Sequence, residues 1–382
     1  MSMCYKRCEV DYVRVQWIEF ENMETGLKIE RIDFYKDITL LVGLSGAGKT
    51  QILSAVAYSL NLAVSSDMML KPCRVSMGIV VDESEYEWSY EINCSEDDGM
   101  ILTDRKNYSF VYERLTCDDE MLFERDGSTL KIAGYGKVPQ PRKDESLLSQ
   151  YSEDEKFKHL ITGIKKMYSV EIELDIRGYL RSESFSQYKS NIADRIEKEK
   201  AQFENFSHLP VVVKLFIAKK YYPDIYIKIF DAVKELFMEV EDIDIVEDTV
   251  REIYMVAIKV YGKQLLQYDI SNGMLKTIYY IVELFTMSKN SLVLIDEFEN
   301  GLGVNCIDLL SEMMLFERKD LQFIITSHHP KIIGGIDSNK WKIIDREGSV
   351  VKNINSESYG IGNSRHDAYF NLINKWEYEG KI

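Results

Sequence analysis

The stretch Gly43-Leu44-Ser45-Gly46-Ala47-Gly48-Lys49-Thr50, "GLSGAGKT", decides how the chain is read. Its glycines let the backbone curl until several N–H groups point at one set of phosphate oxygens. The loop follows "DITLLV" (37–42), a short apolar run of the kind that forms a buried strand. It leads into "TQILSAVAYSLNLAV" (50–64), where Ile52, Leu53, Val56, Ala57 and Leu60 recur at helical spacing. Strand, glycine loop and helix is the context that a phosphate-binding loop requires. By average composition the spacing G-x-x-x-x-G-K-[ST] arises by chance in about 1% of chains of this length. Motif and context together therefore predict a nucleotide site. Gly43, Ser45, Gly46, Ala47 and Gly48 should cradle the phosphates, with Gln51 at the start of the helix. Lys49 should reach the β- and γ-phosphates, and the Thr50 hydroxyl should coordinate Mg²⁺.

Two later strands supply partners for this loop. "SLVLIDE" (291–297) runs apolar from Leu292 to Ile295 and then ends in Asp296 and Glu297. That order brings two carboxylates to the carboxyl edge of a sheet, where ligands bind. Asp296 is expected to share the Mg²⁺ with Thr50, and Glu297 to orient an attacking water. "FIITSHHP" (323–330) is another buried strand, and it delivers His328 to the same edge, with His329 as its neighbour. Between the loop and these strands lies "ISNGM" (270–274), just before a predicted helix over 273–287. Two readings stand there. Ser271 and Gly273 are either an N-cap serine with a turn glycine, or a second anion-binding helix start.

The rest of the chain sets the frame. Short strand patterns run from "VRVQWIEF" (13–20) through "VSMGIVVD", "YEWSYEIN", "MILTD" and "YSFVYERL" to "EMLFERDGSTLKIAG" (120–134). Asp98-Gly99 and Asp126-Gly127 mark hairpin turns. These predict an antiparallel β-subdomain packed beside the nucleotide-binding sheet. Amphipathic helices follow from about 146 to 240, with a short strand "VEIELDI" (170–176). A hairpin about Tyr261-Gly262 comes next, and then strands and helices alternate, the pattern of a parallel α/β sheet. The expected division is a nucleotide-binding lobe over 1–140, a helical insertion over 141–250 and a second nucleotide-binding lobe over 251–382.

Composition excludes some functions. A formal charge of −16 repels nucleic acid on average, so DNA binding would need a local basic patch. Six cysteines, at 4, 8, 73, 94, 117 and 306, form no C-x-x-C pair and no metal-ligand spacing; reduced thiols of a cytoplasmic protein are expected. The N-terminus lacks the apolar core of a signal peptide, and no run of 18 apolar residues spans a membrane.

The set "GLSGAGKT … ISNGM … SLVLIDEFENGL … FIITSHHP" resembles the ABC-class ATPase heads of the SMC and RecF group. It looks most like the stand-alone AAA-type ATPases, of the AAA15 and AAA21 kinds, that are related to the OLD nucleases. The resemblance implies an α/β ABC-type P-loop head, with ATP rather than GTP and Mg²⁺ as cofactors. It also implies a head-to-head dimer in which Ser271, Asn272 and Gly273 contact ATP held by the other copy. Glu297 and His328 become the catalytic pair, and Glu299 joins the acidic stretch after the Walker B strand. Transporters carry Leu-Ser-Gly-Gly-Gln where this chain has Ile-Ser-Asn-Gly-Met. Gln140 and Gln150 are the candidates for the Q-loop glutamine. Relatives without their own nuclease work with separate effectors in anti-phage systems of the Septu, PARIS and retron-associated kinds. Three functions follow: a switch controlling an effector, a RecF-like clamp on duplex DNA, or an ATP-dependent scaffold with little hydrolysis.

Overall fold

The computed structural model describes residues 10, 12–66, 68–94, 108–136, 138, 140–167, 170–171, 179–354, 372, 374, 377 and 378. The expected turn at Asp98-Gly99, the strand "MILTD", Cys4, Cys8 and residues 172–176 lie outside them.

The chain divides into two compact units, Met1–Glu171 with Asn290–Phe298 and Asp320–Ile382, and Ile172–Lys289 with Glu299–Lys319. The division is interleaved, so the helices of the 141–250 stretch fall on both sides of it.

In the first unit, strands β1 (Val13–Asn22), β2 (Lys28–Asp33) and β3 (Ile38–Val42) precede helix α1 (Lys49–Val64). Strands β4 (Cys73–Val81), β5 (Ser84–Cys94), β6 (Tyr108–Cys117), β7 (Glu120–Asp126) and β8 (Thr129–Ile132) form a meander. Helices α2 (Leu147–Gln150) and α3 (Glu155–Lys166) and the short strand β9 (Val170–Glu171) follow. The second unit holds β10 (Leu180–Arg181), α4 (Ser182–Glu199), α5 (Val211–Tyr221), α6 (Pro223–Leu236), β11 (Val240–Asp248), β12 (Ile253–Val260), β13 (Lys263–Leu266) and α7 (Asn272–Thr286). The chain returns to the first unit for β14 (Leu292–Ile295) and to the second for α8 (Val304–Glu312), which widens into a π-helical turn over Met313–Glu317. It ends in the first unit with β15 (Gln322–Thr326), α9 (Pro330–Gly335), β16 (Trp341–Glu347) and β17 (Val350–Ile354).

The first unit is built on one thirteen-stranded sheet, in the order β8-β7-β6-β5-β4-β1-β2-β17-β16-β3-β15-β14-β9. This corrects the expectation of a β-subdomain packed beside the nucleotide-binding sheet. The antiparallel strands hydrogen-bond into the same sheet because β17 uses both of its edges. One edge pairs antiparallel with β16, and the other pairs parallel with β2 at Val350↔Lys28 and Val351↔Ile29. Strands β16, β3, β15, β14 and β9 are parallel neighbours. Every residue of β3, β14 and β15 is buried, which is why these strands read as unbroken apolar runs instead of alternating ones. Gln322, buried at the start of β15, ties the central strands to β1: its Oε1 accepts from Val15 N at 2.9 Å and its Nε2 donates to Val15 O at 2.8 Å. Apolar residues of α1 and α3 cover the sheet, from Ile52 and Val56 to Phe157 and Leu160.

A buried ion pair fixes the β-meander. Glu113 Oε2 on β6 accepts from Arg125 on β7 at 2.5 Å. Glu113 also accepts from the Trp88 indole at 3.1 Å and from Leu147 N, the first residue of α2, at 2.9 Å. Burial pushes the Glu113 carboxyl up from its ordinary value, while the Arg125 charge and these donors pull it back.

The second unit is helical around a small sheet in which β12 pairs with β10, β11 and β13. Tyr261-Gly262 makes the β12–β13 turn, as the sequence indicates. Lys214 on α5 and Glu283 on α7 form a second buried ion pair at 2.6 Å. Among the described residues no helix is long and apolar enough to cross a membrane.

Candidate nucleotide site

The glycine loop leaves the end of β3 and becomes α1 without a side-chain cap. Gly46 and Gly48 have φ of 81° and 105°, in the left-handed region that costs a side chain energy. Packing adds a second demand. A Cβ at Gly43 would lie 2.3 Å from the Ile344 carbonyl oxygen on β16, and one at Gly48 would lie 2.5 Å from Val351 Cγ2 on β17. The uncapped first turn of α1 leaves backbone N–H groups for an anion. Ser45, Gly46, Thr50 and Gln51 are exposed, and Ala47 is buried with its N–H bonded to Leu44 O. Lys49 is only 6% exposed, and its Nζ folds over the loop to donate to Gly43 O at 2.8 Å and Leu44 O at 3.0 Å.

Asp296 follows β14 immediately. Its Oδ2 accepts from the Thr50 hydroxyl at 2.7 Å, so the structure brings together two residues 246 positions apart in the chain. Asp296 Oδ1 accepts from the Thr326 hydroxyl at 2.6 Å. Thr326 is the last residue of β15, wholly buried, and sequence reasoning missed it. The same Thr326 oxygen accepts from Glu297 N at 2.8 Å, and Phe298 N donates to Thr326 O at 3.1 Å. Glu297 is exposed and has a φ of 47°, a left-handed conformation that only a well-determined environment holds in a glutamate.

The two histidines separate. His329 caps α9, its Nδ1 accepting from Lys331 N at 3.3 Å, while its own N–H donates to Ser327 Oγ at 3.0 Å. His328 is the exposed one, at the strand end that also holds Thr326. Gln150 is engaged locally: its Nε2 donates to Arg142 O and Glu145 O. Gln140 is exposed.

The donor set fits Mg²⁺, a hard cation that prefers oxygen. The Thr50 and Asp296 oxygens stand 2.7 Å apart across a hydrogen bond, so a small separation would let both face one ion. Among the described residues no group of three or more His, Cys, Asp or Glu side chains converges as a metal site. An ion held by this hydroxyl and carboxylate would complete its shell with phosphate and water.

The "ISNGM" stretch belongs to the second unit. Ser271 is the N-cap of α7, its Oγ accepting from Met274 N at 3.3 Å. Gly273 is not a turn glycine but sits in the first turn of the helix, where a Cβ would come 3.0 Å from Gly301 O. Ser271 and Asn272 are exposed. Lys276, one turn on, donates to Asn300 O, and Leu302 N closes a turn onto Glu299 O. Tyr280 on the same helix is pushed up by burial and by the nearby Glu299.

Fold and site together define a P-loop protein of the α/β class. Residues 38–334 match the family described as "AAA domain, putative AbiEii toxin, Type IV TA system". The match spans well over half of the sequence, and the chain belongs to this AAA family. No curated protein matches the sequence. Among solved structures it resembles the SmcHead bound to the C-winged helix domain of ScpA, at 13% identity over 89% of this chain and 97% of that one, with a TM-score of 0.44. An Smc head domain with an extended coiled coil, bound to the C-terminal domain of ScpA and derived from Pyrococcus furiosus, gives 13% identity, coverages of 90% and 96%, and a TM-score of 0.45. The SMC head domain from Thermotoga maritima gives 12%, 89% and 98%, and 0.43.

Proposed function

We propose that the chain is an ATP-binding and ATP-hydrolysing switch of the ABC and SMC kind. It pairs head to head with a second copy of itself and regulates a separate effector, a nuclease or toxin, in bacterial anti-phage defence in the cytoplasm. One arrangement carries the reading: the Thr50 hydroxyl bonded to Asp296, with Glu297 held next to it.

Lys49 now donates to loop carbonyls; a triphosphate would give its ammonium stronger acceptors, and the side chain would turn to the β- and γ-phosphates. Thr50 and Asp296 would hold Mg²⁺, which would supply positive charge against the phosphates. Glu297 accepts a hydrogen bond from the attacking water and aligns it with the γ-phosphorus. His328 donates to the γ-phosphate from the neighbouring strand end. Ser271, Asn272 and Gly273 present the start of α7 to the triphosphate held by the second copy, where a helix N-terminus favours the added negative charge.

The family description speaks of a toxin and a toxin–antitoxin system, which favours an effector partner. The net charge of −16 counts against a RecF-like clamp on duplex DNA. Glu297 counts against a scaffold that does not hydrolyse.

Mixing two inactive variants tests the shared site. Lys49→Ala loses nucleotide binding, and Ser271→Arg retains binding but loses turnover. Random pairing restores one intact site in half of the dimers, about a quarter of the wild-type rate. Persistent inactivity of mixtures shown by crosslinking to contain both variants overturns the trans assignment.

A further inference from the structure

We infer that Thr326 is a positioning residue that couples the metal end of the site to its hydrolytic end. This rests on the function proposed above and adds to it a residue outside the recognised motifs. One buried hydroxyl makes two bonds of opposite sense, donating to Asp296 Oδ1 at 2.6 Å and accepting from Glu297 N at 2.8 Å. A continuous chain results: Glu297 N–H to Thr326 Oγ1, Thr326 O–H to Asp296 Oδ1, and Thr50 O–H to Asp296 Oδ2. The Glu297-to-Thr326 and Thr326-to-Asp296 bonds run head to tail, so each polarises the other, while Thr50 donates into the same carboxylate from the exposed side. Thr326 has 0% exposure, so water cannot replace the hydroxyl without repacking.

The chemistry explains why threonine suits the place. The hydroxyl both donates and accepts, and the two neighbours need one of each. The β-branch is at home at the end of a fully buried strand. The acceptor bond also bears on strain: Glu297 sits at φ 47°, and the bonds its N–H and the next residue's N–H make to Thr326 are what hold that turn. Thr326 is buried and acts through Asp296 and Glu297. It sets the direction of the Asp296 carboxylate toward the cation and of Glu297 toward the nucleophile. A cation bound to Asp296 would make its carboxylate a poorer acceptor, so the donation from Thr326 and, with it, the bond to Glu297 N–H would weaken.

The test compares Thr326→Val, which keeps the shape and removes the hydroxyl, with Thr326→Ser, which keeps it. Full-length protein is titrated with fluorescent mant-ATP in EDTA and across a Mg²⁺ series, and steady-state ATP turnover is measured in parallel. For Thr326→Val, mant-ATP affinity in EDTA stays at the wild-type value. The Mg²⁺ concentration for half-maximal effect rises about tenfold, and kcat falls about 10- to 100-fold with KM little changed, the usual cost of losing a bond behind a metal ligand. Thr326→Ser stays within about threefold of wild type on each measure. A valine variant with wild-type Mg²⁺ dependence and kcat overturns the inference. So does one whose affinity falls equally with and without Mg²⁺, since that marks a structural role alone. A serine variant as impaired as valine overturns it too. A wild type that binds nucleotide without hydrolysing it refutes the hydrolytic reading while the Mg²⁺ titration still tests Thr326; a wild type that binds no nucleotide refutes both.

Discussion

Glu297 Oε and Asp296 Oδ lie on adjacent residues, yet the backbone treats them differently. Asp296 is fixed by two hydroxyls, whereas Glu297 is fixed through its N–H and keeps its carboxylate in solvent. A restrained acid suits a metal and a freer one suits water. Glu297→Gln should retain ATP binding within about threefold and lower kcat by roughly 100-fold or more, the usual contribution of a positioned base; single-turnover assays with labelled ATP measure both. At this scale the positions of the loop residues, Asp296, Glu297 and His328 at the ends of apolar runs were legible. Thr326 was not, because "FIITS" reads only as a strand: its meaning comes from β14, thirty residues earlier. Likewise the sequence shows that Gly43 and Gly48 are needed for curvature, but not that Ile344 and Val351 leave no room for a side chain there. The structure sets the two histidines apart: His329 caps α9 while His328 is exposed.

Among the elements, the β-meander and α2 are held by a charge pair with almost no water. Glu113 and Arg125 side chains are 0% and 3% exposed, so removing one leaves the other buried and uncompensated. Glu113→Gln should destabilise the protein by about 3–5 kcal/mol, read as a lower urea midpoint in the first unfolding transition. The double variant with Arg125→Met should cost less than the sum of the two singles, since replacing both partners removes the stranded charge. Apart from β2, β16, β17 and the β10 and β11 strands inside the expected helical insertion, the strands and most helices were readable from period and turn chemistry, including the hairpins at Asp126-Gly127 and Tyr261-Gly262. Their assembly was not. A parallel pairing of two residues between β2 and β17, more than three hundred positions apart, leaves no local pattern, and it alone makes one sheet of two.

At the level of the whole molecule, each chain carries a complete phosphate loop in one unit and the exposed start of α7 in the other. If two copies share each triphosphate, turnover per chain should rise with protein concentration and then saturate, and Glu297→Gln with ATP should run as a dimer in analytical ultracentrifugation. Turnover per chain that is constant across a hundredfold dilution, with a monomer throughout, removes the shared-site mechanism. The partition into units was the least legible feature, because the chain leaves the first unit after Glu171 and crosses between the two repeatedly before Asp320. Composition marks none of those crossings.

The central strand β3 has a further consequence for how the protein comes into being. Both of its neighbours, β15 and β16, are encoded some three hundred residues downstream. On the ribosome the strand that feeds the glycine loop therefore waits, apolar and unpaired along both edges, until some three hundred further residues have emerged. Loop-closure entropy slows such long-range pairing. The surroundings of the glycine loop are thus completed only after β15–β17 are made, and a stalled product lacking them would expose a sticky strand.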